Sequence, residues 1–273
     1  MSDSSLIVVN RLNSYYGKRR VLHDICCEVP RNKITVVMGV SGCGKSTLMR
    51  HLIGLKETAP GEILVEGKDL GRFGETDMNN YRRRMGVLFQ SGALFNSLTV
   101  AKNIAVPLKE HTKLADETID IIVAMKLHMV GLTSTGRYMP SQLSGGMRKR
   151  AGLARAIVMD PEILFVDEPS SGLDPITAAG LDELVLALKE TLGMTIVVVT
   201  HELESAFRIA DQVIVMDAGK VLAAGAPGDV RQSGDERVVQ FLGRRPDEEK
   251  ADKDLYIASL LGRRQPKRQA PGD

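Results

Sequence analysis

The stretch KITVVMGVSGCGKSTLMRHLIGL, residues 33–55, constrains this chain more than any other. A run of β-formers passes into a glycine-rich turn. There follows a segment whose apolar residues Leu48, Met49, Leu52 and Ile53 recur at helical spacing. Within it GVSGCGKST, residues 39–47, fits the pattern G-x-x-x-x-G-K-[ST] between strand and helix, the context the pattern requires. Glycine lacks a Cβ, so Gly39, Gly42 and Gly44 let backbone N–H groups approach phosphate oxygens, with Ser41, Cys43 and Thr47 completing the loop. Lys45 offsets charge on the β- and γ-phosphates, and the Ser46 hydroxyl is placed to ligate Mg2+. Cys43, beside Lys45 and a helix start, is expected to have a lowered thiol pKa.

Further β-rich runs stand at LIVVNRL, RRVLHDICCEV, GEILVEG, RMGVLFQ, EILFVDE, MTIVVVT and DQVIVMDAGKVLAAG. Between Gln90 and Glu162 strands give way to helical patterns, the clearest being Ala115–Gly131, whose apolar stripe reads as core. These runs predict a nucleotide-binding α/β core interrupted by a helical subdomain. The last residues, 244–273, are charged and proline-bearing and read as a weakly ordered extension.

Composition narrows the function. A net charge of +2, no tryptophan and 4% aromatics give no electrostatic or stacking case for nucleic acid. The three cysteines, Cys26, Cys27 and Cys43, have neither metal-ligand nor disulfide spacing; Cys26 and Cys27 read as small strand residues, and a reducing compartment fits them. No run reaches the roughly 18 apolar residues of a membrane span, so the expectation is a soluble, cytoplasmic chain that leaves any spanning to another chain.

Other chemistry-bearing residues stand at strand ends. EILFVDE, residues 162–168, closes an apolar strand with two acids. Asp167 suits Mg2+ held through water, and Glu168 suits the polarisation of an attacking water. VVVTHE places His201 at a second strand end, suited to a γ-phosphate contact. MGVLFQ places Gln90 where it can sense γ-phosphate or Mg2+. One stretch stands apart. LSGGMRKR, residues 143–150, sets Ser144, Gly145 and Gly146 ahead of a helix like a phosphate grip, yet it has no lysine of its own kind at the loop.

Taken in order, these segments resemble the nucleotide-binding subunit of an ABC transporter over residues 5–242. The resemblance implies a P-loop NTPase, the ABC-type ATPase core with an antiparallel β subdomain and an inserted helical subdomain near 91–160, followed by an extension over 243–273. It runs through Tyr16 and Gly17, the Walker A loop at 39–46, Gln90, the signature LSGGM at 143–147, Walker B at 163–167, Glu168, the D-loop SGLD at 171–174 with Asp174, and His201. The signature usually ends in glutamine; Met147 stands there, at the helix start and not in the grip. Tyr16 is suited to stack on adenine, with Tyr15 the alternative if the register slips by one. The resemblance implies ATP and Mg2+, with Ser46, Gln90 and Asp167 around the cation. It also implies a head-to-tail dimer in which Ser144–Gly146 cover the ATP that the partner's Walker A loop holds, so the missing lysine comes from the other chain.

Two longer stretches, residues 89–114 and 146–179, together with VVQFLGRR at 238–245, are similar to the ATPases of MCE-type lipid transporters, the Mla phospholipid system among them. SSGLD and the segment after Arg245 depart from that group, so a sister MCE system fits as well as Mla. The resemblance implies an integral-membrane permease, an MCE lipid-binding protein, a small STAS-domain protein and a place on the cytoplasmic face of the inner membrane. Leu94, Phe95 and Leu98 either line a groove for a permease helix or pack in the core. LYIASLL, residues 255–261, either docks on the twin ATPase or a partner, or belongs to a solvated tail. Alternatives of other kinds are the ATPase of a small-solute importer and a soluble ABC ATPase acting on DNA or the ribosome.

Overall fold

The structure, a computed structural model, describes residues 5–245. LYIASLL and all of the extension beyond Arg245 lie outside the described residues. The chain opens with a long hairpin, β1 (Ser5–Tyr16) and β2 (Arg19–Pro30), then enters β3 (Ile34–Gly39) and, after the glycine-rich loop, α1 (Lys45–Leu52). Short strands β4 (Ile63–Val65) and β5 (Lys68–Asp69) join the hairpin in an antiparallel sheet of order β2-β1-β4-β5. Next come α2 (Glu75–Arg83) and β6 (Met85–Leu88).

Among the described residues, the stretch between β6 and β7 (Ile163–Asp167) holds no strand. It is carried by α3 (Val100–His111), α4 (Asp116–Met129) and α5 (Gly145–Ala156), as the loss of β-pattern there predicts. The chain then alternates α6 (Pro175–Leu192), β8 (Thr195–Thr200), α7 (Leu203–Ile209) and β9 (Gln212–Asp217). It closes with β10 (Lys220–Gly225), α8 (Pro227–Arg231) and α9 (Glu236–Leu242).

The six-stranded sheet has the order β10-β9-β3-β8-β7-β6. All of its neighbours pair in parallel except β10, which runs antiparallel to β9. Strands of such a sheet are covered on both faces, which is why they read as unbroken apolar runs. Alternate residues feed two cores. Val36, Leu164, Val166, Ile196 and Val198 face the helical segment, α6 and α7. Val37, Ile163, Phe165, Val197 and Val199 face α1 and the antiparallel sheet.

Because β3, β8, β7 and β6 are parallel neighbours, their carboxyl ends lie side by side on one edge of the sheet. That edge is where open α/β sheets bind ligands. The glycine-rich loop follows β3, His201 follows β8, Asp167 and Glu168 end β7, and Gln90 follows β6. Four sequence segments spread from Gly39 to His201 are thereby delivered to one place.

One detail differs from the sequence expectation. The apolar stripe of α4 is split: Ile119, Val123 and Leu127 are buried, whereas Ile121 and Met125 are exposed at 62% and 59%. Of the three candidates for a permease groove, Leu94 and Leu98 are half-buried and Phe95 is exposed, with the Arg155 guanidinium 5.9 Å from its ring centre.

Candidate functional site

At the end of β3 the backbone leaves regular strand geometry, and its glycines are there for that reason. Gly39 has φ +152°, and a Cβ built on it would collide with the carbonyl of Met216 on β9. Gly44, at φ +111°, precedes the first residue of α1, and a Cβ there would stand 2.6 Å from Leu22 Cδ2. The loop is thus pressed between β9 and the hairpin. Backbone amides open toward solvent on its remaining side, where a helix start favours an anion. Lys45 is buried and its ammonium donates to the carbonyls of Gly39 at 2.8 Å and Val40 at 3.1 Å. An amine clasped to loop carbonyls is already positioned at the mouth of the loop.

Ser41, Gly42, Gly44, Lys45, Ser46, Thr47, Gln90, Glu168 and His201 line one cleft of about 390 Å3, with Val21 as the tenth residue. Asp167 lies just beneath, its Oδ1 buried without a hydrogen-bond partner. Burial and the charge of Glu168 push its carboxyl above the usual range, against the pull of Arg50, Lys45 and Lys149. A buried carboxylate oxygen left unpaired next in the chain to cleft-lining Glu168, together with the Ser46 hydroxyl that lines the same cleft, fits a divalent cation. Among the described residues no three His, Cys, Asp or Glu side chains form a cluster that would hold a metal unaided. Mg2+ characteristically takes one or two carboxylates together with substrate phosphates and water, so this donor set suits it.

Glu168 is fixed from three sides. Its φ is +48°, in the left-handed region. Its N–H donates to Val199 on β8 at 2.8 Å, and its carbonyl accepts the Lys149 ammonium at 2.7 Å. His201 Nδ1 lies 2.8 Å from its Oε2. His201 therefore engages the carboxylate of Glu168 while also lining the cleft where its expected phosphate contact would be made. Gln90 donates to Ser171 Oγ at 3.3 Å, which connects the end of β6 with the turn after β7.

Tyr16 and Tyr15 sit at the end of β1, both half-exposed. The hydroxyl of Tyr16 accepts from Arg50 on α1 at 3.1 Å, and hydrogen bonds to Thr47 and Arg50 lower its pKa. Tyr16 is thus the tyrosine whose side chain reaches the glycine-rich loop. The Lys56 ammonium lies 3.7 Å from its ring centre and also donates to the Tyr15 carbonyl.

Cys43 departs from expectation. It is only 3% exposed, and burial pushes its thiol pKa up despite the pull of Lys45 and a backbone hydrogen bond. The loop turns the side chain inward among Val37, Leu48 and Met216, where desolvation of a thiolate outweighs the nearby cation. Cys43 contributes backbone to the loop; its carbonyl accepts Gly219 N–H at 3.0 Å.

None of Ser144, Gly145, Gly146 or Asp174 lines the cleft. They lie together at the starts of α5 and α6. Ser144 caps α5, accepting Met147 N–H at 3.2 Å. Asp174 caps α6, accepting the amides of Ile176 and Thr177 and the Thr177 hydroxyl at 2.6 Å. Gly146 lets the two helix starts meet, since a Cβ there would stand 2.5 Å from Thr177 Cγ2.

Val21, Arg50 and Lys149 were not singled out by sequence reasoning. Val21 and Arg50 belong to no phosphate-binding pattern and reach the site only through packing. Lys149 did carry a signal: glycines flank it at 146 and 152, on the helix face that packs closely against Thr177 and Leu88.

A parallel sheet with a glycine-rich loop, a clasped lysine and two acids at its carboxyl edge defines a P-loop nucleotide hydrolase. Residues 22–171 match the family model described as ABC transporter, and the chain belongs to the ABC transporter family as its ATP-hydrolysing cassette. It is 43% identical over 240 residues to the intermembrane phospholipid transport system ATP-binding protein MlaF of Haemophilus influenzae, covering 88% of this chain and 91% of that one. It is 41% identical over 241 residues to the probable ribonucleotide transport ATP-binding protein mkl of Mycobacterium tuberculosis, covering 88% of this chain and 67% of that one. Among solved structures it resembles the dimeric, post-hydrolysis ATP-binding cassette MJ0796 bound to ADP and Pi. The TM-score is 0.74 at 26% identity, over 81% of this chain and 98% of that one.

Proposed function

We propose that this chain is the ATPase of a phospholipid transporter of the MCE type, acting as a head-to-tail dimer. The observation that carries the reading is its similarity, over nearly the whole length of both chains, to a protein named for intermembrane phospholipid transport. Its organisation would be an ATPase domain over 5–242, with a helical subdomain near 91–160 and an extension over 243–273. Among the described residues no helix is long and apolar enough to cross a membrane. Attachment to the cytoplasmic face of the inner membrane would therefore run through an integral-membrane permease, with an MCE lipid-binding protein and a small STAS-domain protein as further partners.

In the proposed chemistry the Walker A amides and Lys45 hold the β- and γ-phosphates, and Tyr16 stacks on the adenine. Asp167, Ser46 and Gln90 are the groups that would hold Mg2+. The cation, when bound, offsets the charge that develops on the phosphates. Glu168 accepts the proton of the attacking water. His201 holds that carboxylate in place through Nδ1, at the 2.8 Å separation described above. Ser144–Gly146 and Asp174 act on the partner chain's nucleotide. That role fits their position outside the chain's own cleft.

The test is to express the chain with the permease and MCE protein encoded beside it and reconstitute the product. Copurification and ATP-dependent movement of labelled phospholipid between vesicles are expected. ATP-dependent uptake of a small solute without lipid movement would favour the importer alternative, to which the mkl name lends its weight. Copurification with DNA or ribosomes and no membrane protein would reject transport.

A further inference from the structure

Helix α5 carries a buried charge that the chemistry above does not use. Lys149 is 6% exposed, one helical turn beyond the Ser144–Gly146 grip, and its ammonium donates to the Glu168 carbonyl. A buried ammonium needs a partner; this one gives its hydrogen bond to the Glu168 backbone and is also attracted by the Glu168 and Asp167 carboxylates. The Glu168 peptide is one that needs such support. It sits at φ +48°, where only tertiary contacts keep a non-glycine residue. Apart from Lys149, among the described residues its carbonyl accepts the longer Ser171 N–H contact at 3.3 Å. Farther along the same helix Arg155 donates to the carbonyls of Gly92 and Ala93, just after Gln90. One rigid element therefore begins at the signature grip and touches the backbone supporting two of the cleft's own groups.

We propose that Lys149 is a positioning residue: from the signature helix it sets the orientation of Glu168, and so ties the helix that grips the partner's nucleotide to water activation in the chain's own cleft. The proposal rests on the reading of Glu168 as general base and of Ser144–Gly146 as a grip acting in trans. Lys149→Met keeps the length and the apolar stem and removes the donor. In the full-length protein it should lower kcat about 10- to 100-fold, the scale expected when a catalytic group shifts by about an ångström. KM for ATP and nucleotide trapping should stay as in the wild type. Lys149→Arg, which restores a donor, should recover most of kcat. If Lys149→Met fails to fold, Lys149→Gln, a neutral donor, should show the same split between kcat and KM in milder form.

Combining Lys149→Met with Glu168→Gln should add no further loss of turnover, since both changes act through one carboxylate. In a forced heterodimer with Lys149→Met in one chain, single-turnover hydrolysis should divide into a fast half and a slow half. The proposal is overturned by wild-type kcat in a folded Lys149→Met protein, by loss of trapping in step with kcat, or by uniform slowing of both sites. Failure of the underlying reading shows separately, as normal turnover in Glu168→Gln alone.

Discussion

At the carboxyl ends of β3, β8, β7 and β6, the charged and polar side chains of the cleft point into a shared space: Lys45, Gln90, Glu168 and His201 all line it. At the starts of α5 and α6 the same kinds of residue are exposed but bound to their own backbone. Ser144 and Asp174 cap their own helices, and the basic run after the signature is tied to carbonyls inside the chain. Arg148 donates to Leu143, Lys149 to Glu168, and Arg150 to Val130 and Gly180. The basic residues of MRKR are therefore tied to backbone carbonyls, with Lys149 buried, Arg150 half-buried and Arg148 exposed. One region gathers the groups of a reaction site; the other is a pair of helix N-termini with an anion-favouring field, whose one lysine, Lys149, is bound to the Glu168 carbonyl. The difference supports the proposal that the second region finishes a site on a partner chain.

The largest effect that would break this comparison is expected at Glu168. Glu168→Gln keeps the size of the side chain but cannot accept a proton, so turnover should fall roughly 10²–10⁴-fold while ATP binding persists. A closed, nucleotide-bound dimer should accumulate. Near-normal steady-state hydrolysis would remove the cleft's claim to be the reaction site.

A second prediction concerns the sulfur in the loop. Exposed Cys26 should react with a maleimide at least about tenfold faster than Cys43, whose thiol is buried and raised in pKa. In a Cys26→Ser protein, activity should survive the reagent whether or not Mg-ATP is present. Rapid inactivation relieved by Mg-ATP would mean that the loop opens far enough to expose Cys43.

The third expected effect is on stability and is confined to the cleft's foundation. His51 on α1 is buried, with Nε2 2.9 Å from Ser14 Oγ on β1 and Nδ1 3.3 Å from Thr58 Oγ1. Burial pulls its pKa down to about 4, helped by the charge of Lys56. The folded-state value lies below the unfolded one, so the neutral ring stabilises the fold above about pH 6.5. That contribution is lost as pH falls toward 4, with a slope of about 1.4 kcal/mol per pH unit. His51→Gln should flatten this part of the stability profile measured by denaturant unfolding. An unchanged slope would place the acid sensitivity elsewhere. The helix starts of the signature region contain no comparable buried imidazole among the described residues.

Much of the cleft was legible in the sequence because each of its segments is local. A strand end followed by a chemistry-bearing residue can be read without knowing its neighbours, and parallel pairing then gathers the four ends. The motif order puts Tyr16 ahead of Tyr15, while the contact of Tyr16 with Arg50 on α1 depends on how β1 lies against that helix. The inward turn of Cys43 was equally hidden: the nearby lysine is visible in sequence, but the apolar shell of Val37, Leu48 and Met216 that overrides it is assembled by the fold. α4 shows the converse limit. Its apolar spacing announces a helix correctly, yet cannot say that Ile121 and Met125 face outward. Lys149 sits in a run that looks like a solvated basic face; the glycines at 146 and 152 mark its side of the helix as closely packed, but only the fold supplies the Glu168 carbonyl as its partner.

The central claim is that the grip and the loop belong to different sites within one chain and to the same site across two. The direct measurement is nucleotide trapping in a forced heterodimer, one chain carrying Lys45→Ala and the other Ser144→Arg, in the presence of a γ-phosphate mimic. Each homodimer should trap almost nothing, because both of its sites are damaged. In the heterodimer one interface collects both lesions, and the other joins an intact loop to an intact grip. One trapped nucleotide per dimer is the expected result. If trapping stays at the level of the homodimers, loop and grip serve the same chain's nucleotide and the account is wrong.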